Sequence, residues 1–257
     1  MKTTILTEKD TNLIEQIILK YGRIVGIDDL MTIFRIEYSN LSAHNRIQKL
    51  TKAGWLKRIK RGLYLVIENL SSRFQNDNSL MLIANALNKS SYISLSYALN
   101  YYHMFDQYSK TIVSVTTADS KKYIFDDFVF KFAKVKENMF FGFSQKIEAG
   151  KIVRIADVEK ALIDYLYLDK SYTSASVVFE KLREYQESLD LNKLQNYALR
   201  SDMTIRRKIG FFLDQLGVNT QGLYRILAEN KGLSRFTKES KTFNAKWRIY
   251  YDNRIIG

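Results

Sequence analysis

The sequence predicts an α+β protein made of two unequal units, and three observations lead there. The chain has 257 residues, 46% of them hydrophobic and 13% aromatic, which is more than one small core requires. Stretches whose apolar residues recur with the helical period are interleaved with stretches of period two. A polar, irregular segment, "NLSSRFQNDNS" at 69–79, reads as a linker between them. The expected division is residues 1–70 and residues 80–257.

The first unit opens with "TEKDTNLIEQIILKYG", where Leu13, Ile17 and Ile18 share a helical face, Thr7 can cap and Gly22 can stop the helix. A short helix follows from Asp28 to Phe34, with Asp28 as its cap and Leu30, Ile33 and Phe34 inward. In "SNLSAHNRIQKLTKAGW" the residues Ala43, Ile47 and Leu50 fall at helical spacing, and Gly54 ends the helix. Its opposite face carries Ser42, His44, Asn45, Arg46, Lys49 and Lys52. The period then changes to two: Trp55, Lys57 and Ile59 alternate with Leu56 and Arg58, and Lys60-Arg61-Gly62 turns the chain into "LYLVI". Three helices followed by a basic hairpin make an N-terminal winged helix-turn-helix. In such a module the third helix lies in the major groove and the hairpin tip meets flanking backbone. Residues 45–66 hold seven Lys and Arg and no acid, so the expected DNA contacts are Ser42, His44, Asn45, Arg46, Lys49, Lys52, Arg58, Lys60 and Arg61.

The second unit reads as a larger mixed α+β domain. "LMLIANALNK" and "SLSYALNYYHMF" are helical in pattern, "TIVSVTT" and parts of "YIFDDFVFKFAKV" alternate as strands, and residues 139–155 give further strands turned at Ala149-Gly150. "ADVEKALIDYLYLD" is an amphipathic helix with Ala161, Leu162, Tyr165 and Leu166 inward and with Glu159 and Lys160 in solvent. Beyond Ser174 the chain is mainly helical, and "KWRIYYD" is a closing strand.

Composition narrows the chemistry. With no cysteine and only two histidines there is no disulfide, thiolate nucleophile or Cys/His zinc cluster, and no metal or cofactor is expected. There is neither a GxxxxGK[ST] stretch nor a GxGxxG turn. Gly142-Phe143-Ser144 lacks the spaced acids of nucleotidyl transfer, and Asp126-Asp127, adjacent on a strand, point apart. Asp119-x-Lys121, with Asp106 upstream, is the one arrangement suggesting a nuclease. No apolar run approaches the roughly 20 residues of a membrane helix, and Met1 to Asp10 lacks a signal-peptide core, so a cytoplasmic protein without catalytic residues is expected. The formal charge of +13 repels itself unless a polyanion relieves it, which makes double-stranded DNA the expected partner. A second basic group, Arg206, Arg207, Lys208, Arg235 and Lys238, is expected on the surface of the larger unit.

These residues resemble the AbiEi antitoxins of bacterial type IV toxin-antitoxin systems over nearly the whole chain. "LTKAGWLKRIKRGLYLV" is similar in Leu50, Gly54, Leu56, Arg58, Arg61, Gly62 and Tyr64. More specific are "YISLSYALNYYHMF", the "TIVSVTT" strand after it, "RIADVEKALIDYLYL", "RKIGFFLDQLG" and the strand at Trp247. Two positions depart: Val158 stands where the family often has proline, and His103-Met104 replaces a usual glycine. The resemblance implies an antitoxin and transcriptional autorepressor. Its winged domain would bind inverted repeats at its own promoter, and its larger domain would counter a nucleotidyltransferase toxin, with or without a stable complex. The basic group around Arg206 is the expected antitoxin surface. A ligand-responsive winged-helix regulator and a metal-dependent nuclease are the alternatives.

Overall fold

The structure, a computed structural model, describes residues 6–67, 78–105, 109–227 and 229–256. The fold is α+β, and the chain separates into two compact units: residues 1–89 with 147–153, and residues 90–146 with 154–257.

In the first unit, α1 (Glu8–Tyr21) is capped by Thr7, whose hydroxyl accepts from Asp10 N–H, and Gly22 closes it at φ 77. β1 (Ile24–Gly26) leads into α2 (Ile27–Phe34). The expected Asp28 cap is replaced: Asp29 Oδ2 accepts from Gly26 N–H at 3.2 Å, one turn earlier in the chain. α2 has only 8 residues, too few to stand alone in water, so burial of Leu30, Met31, Ile33 and Phe34 must hold it. Each of these side chains contributes about 2 kcal/mol on leaving water. α3 (Asn40–Ala53) ends at Gly54, φ 91, and Trp55 N–H reaches back to the Leu50 carbonyl at 3.0 Å. Ala43, Ile47 and Leu50 pack into the same core as Leu13, Ile17, Leu56 and Val66.

β2 (Leu56–Lys60) and β3 (Leu63–Val66) form the hairpin, and β1 pairs antiparallel on the other side of β3. Strict alternation would put Leu56 and Ile59 on opposite faces. Both are buried, because the register shifts between Arg58 and Lys60 and the extra residue returns Ile59 to the core. Arg58 is thereby left outward. α4 (Asn78–Leu87) groups with this unit rather than with the larger one, as does the tip of a distant hairpin at 147–153. There Lys151 Nζ donates to Ile24 O at 2.9 Å and Asn85 Nδ2 donates to Ile152 O at 2.9 Å. Of the linker expected at 69–79, all but Asn78 and Ser79, which begin α4, lies outside the described residues.

The second unit follows from β4 (Ser91–Ser94) and α5 (Leu95–Tyr101) to β5 (Thr111–Thr116), β6 (Lys121–Phe125), β7 (Phe128–Lys134), β8 (Phe143–Glu148) and β9 (Lys151–Ala156). These strands make a six-stranded sheet in the order β6-β7-β5-β4-β9-β8. Asp126, φ 48, and the pair Ala149-Gly150, φ 46 and 73, turn its two hairpins. α6 (Val158–Leu168), α7 (Tyr172–Glu184), α8 (Leu191–Arg200), α9 (Met203–Gln215) and α10 (Gln221–Leu227) come next. A small sheet of β10 (Ser234–Arg235), β11 (Thr242–Asn244) and β12 (Ile249–Tyr251) closes the chain, in the order β10-β12-β11. α9 is its central helix, buried from Lys208 to Leu213. A Cβ on Gly210 would overlap the Trp247 ring, so only glycine admits that indole.

Val158 and His103, the two positions that depart from the AbiEi-like pattern, each have a local reason. Val158 is the first helical residue after the N-cap Asp157, where proline is tolerated but not required. His103 adopts φ 58, the left-handed region that favours glycine and that histidine enters at modest cost. No helix among the described residues is long and apolar enough to cross a membrane.

Candidate nucleic-acid interface

α3 presents two faces of different chemistry. Its apolar face is sealed in the core, and Ser42, His44, Asn45, Gln48, Lys49 and Lys52 are exposed on the other. Ser42 accepts a hydrogen bond from the Ser39 hydroxyl at 3.0 Å, which orients the start of the helix. The hairpin adds Arg58, turned outward by the bulge, and Arg61, exposed beside Gly62 at φ 75. No acid occurs from Tyr38 to Ile67. Among the described residues Lys49, Lys52, Arg58 and Arg61 form no ion pair, so their charges face solvent uncompensated. Four cations free of carboxylates on one short stretch can each meet a phosphate without first breaking a protein contact.

Two of the expected contacts are otherwise employed. Arg46 forms an ion pair with Asp10, and its Nε donates to Asp10 Oδ1 at 2.6 Å. Asp10 is fully buried and also accepts from the Thr7 hydroxyl at 2.6 Å. An ionised carboxylate taken out of water needs such a partner, so Arg46 ties α3 to the first turn of α1 instead of facing a base. Lys60 was expected at the hairpin tip as a phosphate contact. Its ammonium instead donates to the Leu87 carbonyl at 3.0 Å, at the last residue of α4, where a helix leaves carbonyls unpaired.

The second basic group is not a surface as a whole. Arg207 and Lys208 are 2% and 1% exposed. Three consecutive helical residues span about 200° of the helix circumference, so Arg206, Arg207 and Lys208 cannot all face water on a helix that also buries Ile205, Ile209 and Phe212. Arg207 donates to Asn230 Oδ1 at 2.9 Å and to Ser234 Oγ at 3.2 Å. Arg206 is half-buried, donating to Ser201 O at 3.0 Å. Arg235 is exposed but stacks at 4.0 Å on the Tyr250 ring while donating to Ser240 O. Lys238 is exposed without an ion pair among the described residues.

Glu159 and Lys160, expected in solvent, are also buried. Lys160 Nζ lies 2.5 Å from Asp164 Oδ1, both side chains fully enclosed, with the ammonium 4.6 Å from the Phe141 ring centroid. Ser94 and Tyr92 donate to the other carboxylate oxygen at 2.7 and 3.1 Å. Burial raises the Asp164 carboxyl, and Lys160 and the two hydroxyls oppose it. Beside this cluster Lys193 bridges Asp157 and Glu159 at 3.1 Å each, and Tyr197 donates to Asp157 at 2.8 Å. Burial, then the Asp157 bond, pushes the Tyr197 phenol up to about 12. Gly142 packs here: a Cβ would meet the Tyr197 ring at 2.9 Å and Lys160 at 3.0 Å. Lys160 and Asp164 are fully enclosed, and Asp164 is tied to β4 through Ser94 and Tyr92, so the pair braces α6 against the sheet.

Of the nuclease arrangement, Asp119 is ion-paired with Lys134 at 2.9 Å, which holds its carboxyl below the usual range, and Asp106 lies outside the described residues. No group of three His, Asp or Glu that could hold a metal occurs among the described residues.

Comparison with known proteins places the fold. No family model matches the chain, and no curated protein matches it. A crystal structure of the RV2827C protein from Mycobacterium tuberculosis is similar with a TM-score of 0.68, at 11% identity, over 96% of this chain and 92% of that one. At that identity the likeness concerns the fold alone.

Proposed function

We propose that the chain is a non-enzymatic, cytoplasmic DNA-binding antitoxin and autorepressor. Its first unit acts as a winged helix-turn-helix on duplex DNA, and its larger unit counters a nucleotidyltransferase toxin. The observation that carries the DNA half is the acid-free exposed face shared by α3 and the β2–β3 hairpin, with Lys49, Lys52, Arg58 and Arg61 free of ion pairs among the described residues. The order α1, α2, α3, hairpin suits insertion of α3 into the major groove. In that pose Asn45 is the side chain for a bidentate bond to adenine, Ser42 and His44 reach adjacent edges or phosphates, and the lysines and arginines meet backbone.

The antitoxin half is supported by the resemblance to AbiEi proteins in the blocks from Tyr92, Arg154 and Arg207. The core positions of those blocks explain their residue types, Gly210 against Trp247 being the clearest. DNase footprinting of the chain's own promoter and co-expression with the product of the adjacent gene test the two halves separately. Protection of an inverted repeat and restored growth are expected. An unprotected promoter refutes the autorepressor, and unrelieved toxicity refutes the antitoxin. A ligand-responsive regulator is the second reading, favoured by a lysine-bearing cleft in the larger unit.

A further inference from the structure

That cleft has a volume of ≈ 830 Å³ and is formed by the end of α6, the start of α9, Lys134 and residues 233–239, all within the second unit. We infer that it binds a small phosphate monoester of mononucleotide size, with Lys208 at its floor and Lys170 and Lys238 on its exposed side. The inference is independent of the DNA-binding reading, since it concerns the other unit.

Lys208 carries the argument. Its side chain is 1% exposed, yet it lines the cleft. Its ammonium has three N–H donors, and two meet the carbonyls of Leu166 and Phe236 at 3.3 and 3.4 Å, both longer than an ordinary N–H···O bond. The third has no hydrogen-bond acceptor among the described residues and no carboxylate pairs with the charge, which besides these carbonyls has only the Phe236 ring, its centroid 5.3 Å away. A lysine present only to cap the last turn of α6 would sit at normal hydrogen-bond distance from Leu166 O. Burying an ammonium on two long bonds is costly unless it sheds its proton or receives an anion. Burial accordingly lowers Lys208 from 10.5 to about 8, helped by Lys170 and opposed by Asp202 and Asp169.

The surroundings choose the anion. Lys170 and Lys238 are exposed and unpaired among the described residues, whereas Lys134 is held by Asp119 and Arg235 by Tyr250 and Ser240. The carboxylates facing the cleft are Asp202, which accepts from Ile205 N–H at 2.9 Å, and Glu239. The free cations are thus three lysines, point charges suited to a phosphate, rather than the planar fork that a carboxylate favours. A volume of ≈ 830 Å³ is far more than one phosphate fills and lies in the range of sites for nucleotide-sized ligands. Half-buried Tyr167 and Leu233, the latter 55% exposed, supply apolar wall for the body of the molecule.

Isothermal titration of the full chain with AMP, inorganic phosphate and adenosine tests this. One AMP per chain is expected, with weaker binding of phosphate and none of adenosine. Near pH 8 the heat should depend on the buffer's ionisation enthalpy, because an anion restores the Lys208 proton. Lys208→Met should weaken AMP at least tenfold. The exposed pair Lys170→Gln with Lys238→Gln should do the same, and decides the matter should Lys208→Met fail to fold. Lys49→Ala with Lys52→Ala should leave AMP binding unchanged. The inference is overturned by absence of heat at millimolar AMP, by adenosine binding as well as AMP, or by undiminished affinity in the Lys170→Gln, Lys238→Gln protein. Loss of binding on changing Lys49 and Lys52 alone overturns it too.

Discussion

The basic residues of the two units look alike in the sequence and serve opposite purposes in the fold. On α3 and its hairpin, Lys49, Lys52, Arg58 and Arg61 stay in water without acidic partners. On α6 and α9, Lys160, Arg207 and Lys208 are enclosed: Lys160 against a carboxylate, Arg207 against Asn230 and Ser234, and Lys208 against two distant carbonyls. The difference lies in the helix faces left over. α3 has one apolar stripe of Ala43, Ile47 and Leu50, so every cation off that stripe is exposed or, at Arg46, sits at its margin. α9 is buried from Arg207 to Leu213, so the two cations on that stretch turn inward while Arg206, one residue earlier, stays half-buried.

Replacing Lys160, which is paired with a buried carboxylate, should therefore cost stability, and replacing the exposed cations should cost DNA affinity. The largest effect is expected for Lys160→Met, which strands Asp164: about 3–5 kcal/mol in urea unfolding, part of it recovered by adding Asp164→Asn. Equal stability of Lys160→Met and wild type would break the comparison. Lys208 gives a pH signature. Above about pH 8 the folded chain releases its proton while the unfolded chain keeps it to about 10.5, so the unfolded state binds more protons and stability rises with pH across that window. Relative to Lys208→Met the wild type should gain up to about 3 kcal/mol from pH 8 to 10.5, read from unfolding curves at either end. A constant difference would place the ammonium in solvent.

Arg46→Ala sharpens the comparison inside the proposed DNA-binding face. It should destabilise the first unit by about 2 kcal/mol, because buried Asp10 loses its partner, which is less than for a fully enclosed pair since the Arg46 side chain is 24% exposed. It should leave base preference unaltered once the protein is folded. Changed preference at one base pair would return Arg46 to the groove. Asn45→Ala should do the reverse: no change in melting, and a loss of about 1–3 kcal/mol on the operator with little on random DNA, in a fluorescence-anisotropy titration.

Much of this was legible in the sequence. The three helices of the first unit follow from helical spacing with Thr7, Gly22 and Gly54 at the ends, and the hairpin from period two broken at Gly62. β1 and β4 were not foreseen, since 3 and 4 residues are too few to show a period. Nor was the bulge that turns Ile59 inward. The buried charges escaped because a hydrophobic pattern counts every charged residue as outward. Two signals were present all the same: Lys160 and Asp164 stand four apart, the spacing of a helical ion pair, and three consecutive cations at 206–208 cannot share one helix face.

The most direct measurement is the salt dependence of duplex DNA affinity for wild type and for Lys49→Ala, Lys52→Ala and Arg61→Ala combined, with Lys60→Ala beside it. A cation that no longer neutralises its phosphate should flatten the log-log slope by about 0.9, so the triple replacement should flatten it by about 2.7. Lys60→Ala removes an ammonium that caps α4 and should leave the slope near that of wild type. An unchanged slope in the triple variant, with the protein folded, would contradict the assignment of DNA binding to α3 and its hairpin.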